Sequence, residues 1–141
     1  MEVYATKIKQ ATFRYIESEL YDYKDTLKEI KRLRESIIHS TNDDENAGGG
    51  QSNLPGDPTG AMVSKLTTHK TLQNLVKVTD AIQEAYEMLS DEHRSIIDLK
   101  YFRNKNLYWD DVAYQLSMHR NTVFKYRREF ILIVANKLGM R

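Results

Sequence analysis

The chain has 141 residues and no cysteine, so it is long enough for one ordinary domain or two small ones, and disulfides and thiolate zinc sites are excluded. Its net charge of +1 conceals a polarity, because residues 1–93 hold 11 Lys and Arg against 16 Asp and Glu, whereas residues 94–141 hold 10 against 4. A basic C-terminal third that follows an acidic N-terminal part is typical of a protein that binds a polyanion through one end.

The sequence carries no sign of membrane insertion or secretion. No apolar run approaches the roughly 20 residues that a membrane-spanning helix needs. The N-terminal residues also lack the apolar core of a signal peptide. We therefore expect a cytoplasmic protein without a membrane partner.

Residues 4–39 have a helical pattern without Gly or Pro. Apolar side chains recur there at steps of four and three and form a seam suited to packing against another helix. The seam consists of Ile16, Leu20, Tyr23, Leu27, Ile30 and Ile37. We expect residues 1–39 to be an N-terminal helical segment, with Ile16–Ile30 as candidate oligomerisation residues of a homodimer. The pattern equally allows packing within one chain, and it leaves open whether 4–39 is one helix or two joined near residues 21–24.

Residues 40–61 are predicted to be a flexible linker. They contain five of the six glycines and both prolines, and they have almost no apolar side chain to bury. The Gly-Gly-Gly run lacks the Gly-Lys-Ser/Thr ending of a phosphate-binding loop, so a nucleotide site is not expected.

The remaining chain, residues 62–141, is predicted to be a helical domain, which makes the protein all-α. One amphipathic helix covers 64–89, and Ser90 caps a further helix over about 91–102. Two more helices follow at about 109–116 and 120–137, and Gly139 stops the last one.

The last two predicted helices have the pattern of a helix-turn-helix at about 109–137. The side chains that would face inward are small or apolar: Val112, Ala113, Leu116, Met118, Val123 and Tyr126. Trp109 is expected to pack at the start of the first helix, and Arg127 to point away from a DNA groove.

The outer face of the second helix carries side chains that suit base edges and phosphates, so we expect double-stranded DNA as a partner. Arg120, Asn121 and Lys125 are candidates for base contacts, and Phe124 for contact with a thymine methyl group. The candidates for phosphate contacts are His119, Thr122 and Arg128.

The segment 89–139 resembles region 4 of bacterial sigma factors, through Leu-Ser-x-Glu-His-Arg, Trp-Asp-Asp-Val-Ala, Leu-Ser-Met-His-Arg-Asn-Thr-Val and Lys-Leu-Gly. The whole chain more closely resembles small phage transcription regulators of the RinA/ArpU type. That likeness lies in Glu-Leu-Tyr-Asp-Tyr at 19–23, the Gly-rich middle, Ala81-Ile82, and Ala-Asn-Lys-Leu-Gly at 135–139. It implies an activator of phage late genes that acts with the RNA polymerase of a bacterial host.

Two positions depart from the pattern of that motif. Ser117 stands where a glycine is common in the turn, so it would need a left-handed or nearly left-handed backbone. His119 stands where Ser or Thr usually caps the second helix.

Catalysis has little support in the sequence. The four histidines are scattered without metal-ligand spacing, and we expect neither an enzyme nor a cofactor. Two alternatives to a regulator stay open. One is a small terminase subunit that binds packaging DNA, and the other is a polymerase- or sigma-binding protein that does not contact DNA.

Overall fold

The structure is a computed structural model that describes residues 7–46, 58–103 and 106–141. Within these ranges every regular element is helical, which confirms the all-α prediction. The α-helices are α1 (Gln10–Tyr21), α2 (Tyr23–Asn46), α3 (Pro58–Glu87), α4 (Asp91–Ile97), α5 (Trp109–Gln115) and α6 (Arg120–Leu138). A π-helical turn, Asp98–Arg103, continues directly from α4. None of these helices is long and apolar enough to cross a membrane.

The chain divides into two compact units that differ from the segments suggested by the sequence. The first unit combines Met1–Lys24 with Val78–Arg141, and the second is Asp25–Lys77. The N-terminal region is two helices, because the chain leaves α-helical geometry at Asp22 (φ −92°, ψ 1°). Helix α1 therefore belongs to the unit that contains the C-terminal helices.

The predicted linker 40–61 is helical at both ends. Helix α2 continues to Asn46, and α3 already begins at Pro58. Proline is well tolerated in the first turn of a helix, because the missing N–H would have no partner there. The centre of the predicted linker, residues 47–57, lies outside the described residues.

The main core of the first unit joins α1, the C-terminal half of α3, the π-helical turn and α6. Ile16, Leu20, Ile82, Tyr101 and Phe130 are all essentially excluded from solvent in this core. Ile16 and Leu20, which the sequence offered as candidate oligomerisation residues, thus pack within their own chain. The Thr12 hydroxyl also donates to the Arg141 carbonyl and ties α1 to the end of the chain.

In the second unit, the buried side chains of α2 differ from the predicted seam, because Thr26 takes the place of Leu27. Thr26, Ile30 and Leu33 are buried, whereas Leu27 is 44% exposed. Steps of four and three from residue 26 place these three side chains on one face, and Leu27 lies beside that face. Of the predicted oligomerisation residues, only Ile30 is therefore buried in this unit.

Candidate nucleic-acid interface

A smaller core holds α5 and α6 against α4. Ile96, Val112, Ala113 and Val123 are buried in it. The half-buried side chains packed around them include Leu116, Met118 and Tyr126. All six side chains that the sequence assigned to the inner face are therefore buried or half-buried.

Helix α5 ends in a Schellman motif, which fixes the four-residue turn before α6. The N–H of Met118 donates to the Ala113 carbonyl at 2.9 Å, and the N–H of Ser117 donates to the Tyr114 carbonyl at 3.2 Å. Ser117 has φ 53° and is the one non-glycine residue with positive φ among the described residues. The expected left-handed backbone at Ser117 is thus confirmed.

Helix α6 begins and ends with caps that the sequence indicated. The Nδ1 atom of His119 accepts the N–H of Asn121 at 3.0 Å, so His119 is the N-cap residue. At the other end Gly139 has φ 69°, and the N–H of Met140 donates to the Ala135 carbonyl at 2.9 Å. Helix α6 therefore closes with the same motif as α5, but with glycine in the left-handed position.

The first turns of α6 present polar side chains to solvent. Asn121, Lys125 and Arg128 are exposed, as is the capping residue His119, and Thr122 is half-buried. Lys125 lies 4.0 Å from the carboxylate of Glu129. Arg128 also lines a cleft with Gln10 of α1 and with Lys7, which precedes that helix, so the cleft has two basic side chains.

Arg120 is held by two neighbours. Its Nε atom lies 3.2 Å from Oδ1 of Asp110, in the first turn of α5. Its guanidinium carbon lies 5.2 Å from the centre of the Phe124 ring. Both charged side chains stay open to solvent, with Arg120 63% and Asp110 70% exposed.

Phe124 occupies a different environment from the one the sequence predicted. Its ring is half-buried and packs against Trp109, with the ring centres 6.0 Å apart. The sequence placed Phe124 on the open face, but the position lies between that face and the aromatic packing around Trp109. Trp109 itself has the expected packing role at the start of α5.

A charged network that the sequence does not predict joins α1 to α6. Arg127 donates from Nε and Nη2 to the two carboxylate oxygens of Glu17, each at 2.8 Å. The Tyr101 hydroxyl donates to the same carboxylate at 2.7 Å. The guanidinium lies 4.9 Å from the Trp109 ring centre and 5.0 Å from that of Phe13. Arg127 therefore secures the α6 helix to α1.

Burial and the Glu17 charge act in opposite directions on the pKa of Arg127 and in the same direction on that of Tyr101. Burial alone would lower the pKa of Arg127, but the hydrogen bond and negative charge of Glu17 outweigh it and raise that pKa. Burial raises the pKa of Tyr101 far above its usual value, and the adjacent Glu17 carboxylate raises it further. Burial lowers the pKa of Lys100, whose ammonium group donates to the Leu107 carbonyl.

His93 connects α4 to α6. Its Nε2 atom lies 3.0 Å from the Glu129 carboxylate, and its Nδ1 atom lies 2.8 Å from the Ser90 hydroxyl. The imidazole packs against Tyr126 with the ring centres 3.6 Å apart and the ring planes inclined by 40°. Ser90 also accepts the N–H of His93 at 3.4 Å, which confirms it as the predicted N-cap of α4.

Comparison with known proteins gives one family. The model of a family described as protein of unknown function (DUF722) matches residues 14–136. No curated protein and no solved structure matches the chain.

Proposed function

We propose that the chain, which belongs to the DUF722 family, is a sequence-specific DNA-binding regulator whose α5–turn–α6 unit is a helix-turn-helix. In this proposal α5 lies across the DNA backbone, and the first turns of α6 enter the major groove.

The way in which the α5–turn–α6 unit is built supports this proposal. A four-residue turn with left-handed Ser117 joins two helices whose inner faces share one small core. The same turn leaves His119, Arg120, Asn121 and Lys125 exposed at the start of α6. A rigid support beneath polar side chains is what base reading requires, since the side chains must be placed before they meet the groove.

The proposed contacts follow from position along α6. Arg120, Asn121 and Lys125 read base edges, while His119, Thr122 and Arg128 contact phosphates. Lys7 extends the phosphate contacts beyond α6, because it lines the same cleft as Arg128. Phe124 acts mainly by supporting Arg120 and packing on Trp109, since those contacts occupy its ring.

The biological role is proposed from the resemblance to phage regulators of the RinA/ArpU type. The protein would activate late genes by binding a promoter and contacting host RNA polymerase in the bacterial cytoplasm. This activity needs no cofactor, because recruitment by binding involves no bond chemistry.

A small terminase subunit is the second candidate, and exposed apolar side chains in the second unit favour self-association of either protein. Ile38, Met62, Val63 and Leu66 are each more than half exposed there. A regulator would form a dimer, whereas a terminase subunit would form a ring of many copies. The mass of the purified protein in solution distinguishes these two assemblies.

The test of DNA binding is selection from random duplex DNA by the purified full chain, followed by sequencing. Arg120→Ala and Asn121→Ala should each cost about 1–3 kcal/mol on the selected site and relax preference at one or two positions. Equal losses on selected and random DNA would argue against base reading by these residues.

Phosphate contact is tested through the salt dependence of binding. Arg128→Ala should weaken binding to all sequences alike and lower the slope of log affinity against log salt by about one unit. Arg32→Ala is the matched control, because Arg32 pairs with Glu29 on the surface of the second unit. A selection that enriches no sequence with the wild-type protein would refute the proposed function.

A further inference from the structure

We propose that Asp110 is a positioning residue that presets Arg120 to read a guanine, so that this chain selects a G·C pair at one position of its site. This inference rests on the proposed DNA binding and assigns a role to a carboxylate on the helix that precedes α6.

Arg120 is contacted at its Nε atom and on one face of its guanidinium group. The Asp110 carboxylate faces Nε of Arg120 at 3.2 Å, on the inner edge of the guanidinium group. The Phe124 ring lies under the guanidinium carbon at 5.2 Å. The contact of the ion pair is thus at Nε, and Phe124 lies over one face of the group, so an arginine placed in this way can turn its two terminal nitrogens toward the groove. Those two nitrogens form the fork that donates to O6 and N7 of guanine.

The exposure of the pair indicates that its role is not to stabilise the fold. Arg120 is 63% and Asp110 is 70% exposed, and surface ion pairs of this kind contribute little to folding because water screens them. Groove binding displaces that water, so the attraction between the two charges becomes stronger when DNA is bound. The pair therefore contributes little to folding, and it orients Arg120 most firmly once DNA is bound.

The negative charge of Asp110 should have opposite effects on affinity for DNA and on selectivity for guanine. A carboxylate at the edge of a DNA interface repels phosphates and lowers affinity for every sequence. By holding Arg120, the same carboxylate favours sequences that place guanine opposite the fork. Removing the charge should consequently improve binding to random DNA and reduce the preference for guanine, two effects of opposite direction.

The experiment compares Asp110→Asn with wild type by selection from random duplexes and by titration with random DNA. The guanine preference at one position should fall about five-fold or more, with preferences elsewhere unchanged, since a well-placed bidentate pair discriminates at least that much. Binding to random DNA should be equal to wild type or tighter. Asp91→Asn removes the same charge from the exposed first turn of α4 and should leave the guanine preference unchanged.

The double variant Asp110→Asn with Arg120→Ala tests whether Asp110 acts through Arg120. It should show the same base preferences as Arg120→Ala alone. Asp110→Ser repeats the removal of the carboxylate with a second side chain if the Asn variant folds poorly.

Three results would overturn the inference while leaving DNA binding intact. They are an unchanged guanine preference in both Asp110 variants, an equal loss at all positions of the site, and a further change when Asp110 is altered in the Arg120→Ala background. A wild-type protein that selects no sequence would instead overturn the proposed function, and this inference with it.

Discussion

Replacing Glu17 by alanine should destabilise the first unit strongly, because Glu17 is the shared partner of buried Tyr101 and half-buried Arg127. Its carboxylate accepts both donors of Arg127 and the hydroxyl of Tyr101. The substitution leaves a guanidinium that is only 22% exposed without its counter-charge, and a fully enclosed phenol without an acceptor.

The magnitude follows from these two losses. Removing one partner of a buried ion pair costs about 3–5 kcal/mol, and the partial exposure of Arg127 places this case at the lower end of that range. An unsatisfied hydroxyl adds about 1–3 kcal/mol, although the two contributions overlap because both groups share one carboxylate. We expect Glu17→Ala to lower the free energy of unfolding by about 3–4 kcal/mol.

The assay is urea unfolding followed by tryptophan fluorescence. Trp109 is the single tryptophan of the chain and lies 4.9 Å from the Arg127 guanidinium, so its emission reports on this network directly. Glu19→Ala is the matched control on the same helix. Burial raises the pKa of Glu19, and the nearby Asp22 raises it further, so the environment disfavours its charged form. The control should stay within about 1 kcal/mol of wild type.

The double variant Glu17→Ala with Arg127→Met identifies the cause. If an unpaired buried charge is responsible, removing that charge should recover part of the lost stability. A loss below about 1 kcal/mol in Glu17→Ala, or a double variant less stable than Glu17→Ala alone, would refute the reasoning.

Three further predictions concern the turn, alkaline pH and the helix seam. Ser117→Gly should raise the free energy of unfolding by about 0.5–1 kcal/mol in urea titrations, because glycine removes the penalty of positive φ at an exposed position. Wild-type stability should fall as pH rises above about 10, since Tyr101 ionises in the unfolded chain but its raised pKa keeps it neutral in the fold. Tyr101→Phe should reduce that fall by about 1.4 kcal/mol per pH unit. Leu20→Asp should abolish the circular dichroism transition of the first unit, because it places a charge in the core, whereas Leu27→Asp should leave unfolding nearly unchanged.

Each of these has an outcome that would contradict it. A less stable Ser117→Gly would mean that the serine side chain has a role in the turn. An alkaline fall that is the same in Tyr101→Phe would assign it to other tyrosines. A folded Leu20→Asp that changes from dimer to monomer would restore the seam as an interface between chains.

The sequence predicted the helices well where local chemistry decides their bounds. Ser90 and His119 cap helices by their own side chains, and Gly139 ends α6 through its backbone freedom, so each signal is read at one position. Periodicity identified the inner faces of α5 and α6 for the same reason. Ser117 was predicted from its place in the turn, although serine itself gives no local signal for positive φ.

Pairings over long sequence distances were not predicted, because no local signal specifies a partner. Glu17 and Arg127 are 110 positions apart, and the seam around Ile16 fits a partner helix from either chain. One clue was present nonetheless. Arg127 follows Val123 by four residues and precedes Phe130 by three, so it occupies the buried stripe of α6. A charge on such a stripe indicates a buried counter-charge elsewhere in the chain.

The histidine cap of α6 also fixes the tautomer of its ring. Because Nδ1 of His119 accepts the Asn121 N–H, that nitrogen carries no proton, and the neutral imidazole holds its proton on Nε2. A serine cap would use one rotating hydroxyl for all of its hydrogen bonds, whereas the imidazole separates an acceptor for the backbone from a donor on the opposite side of the ring. Since His119 is exposed, that Nε2–H group can donate to a phosphate oxygen without disturbing the cap. Nitrogen-15 spectra of the neutral imidazole should therefore show the tautomer with the proton on Nε2 and none on Nδ1.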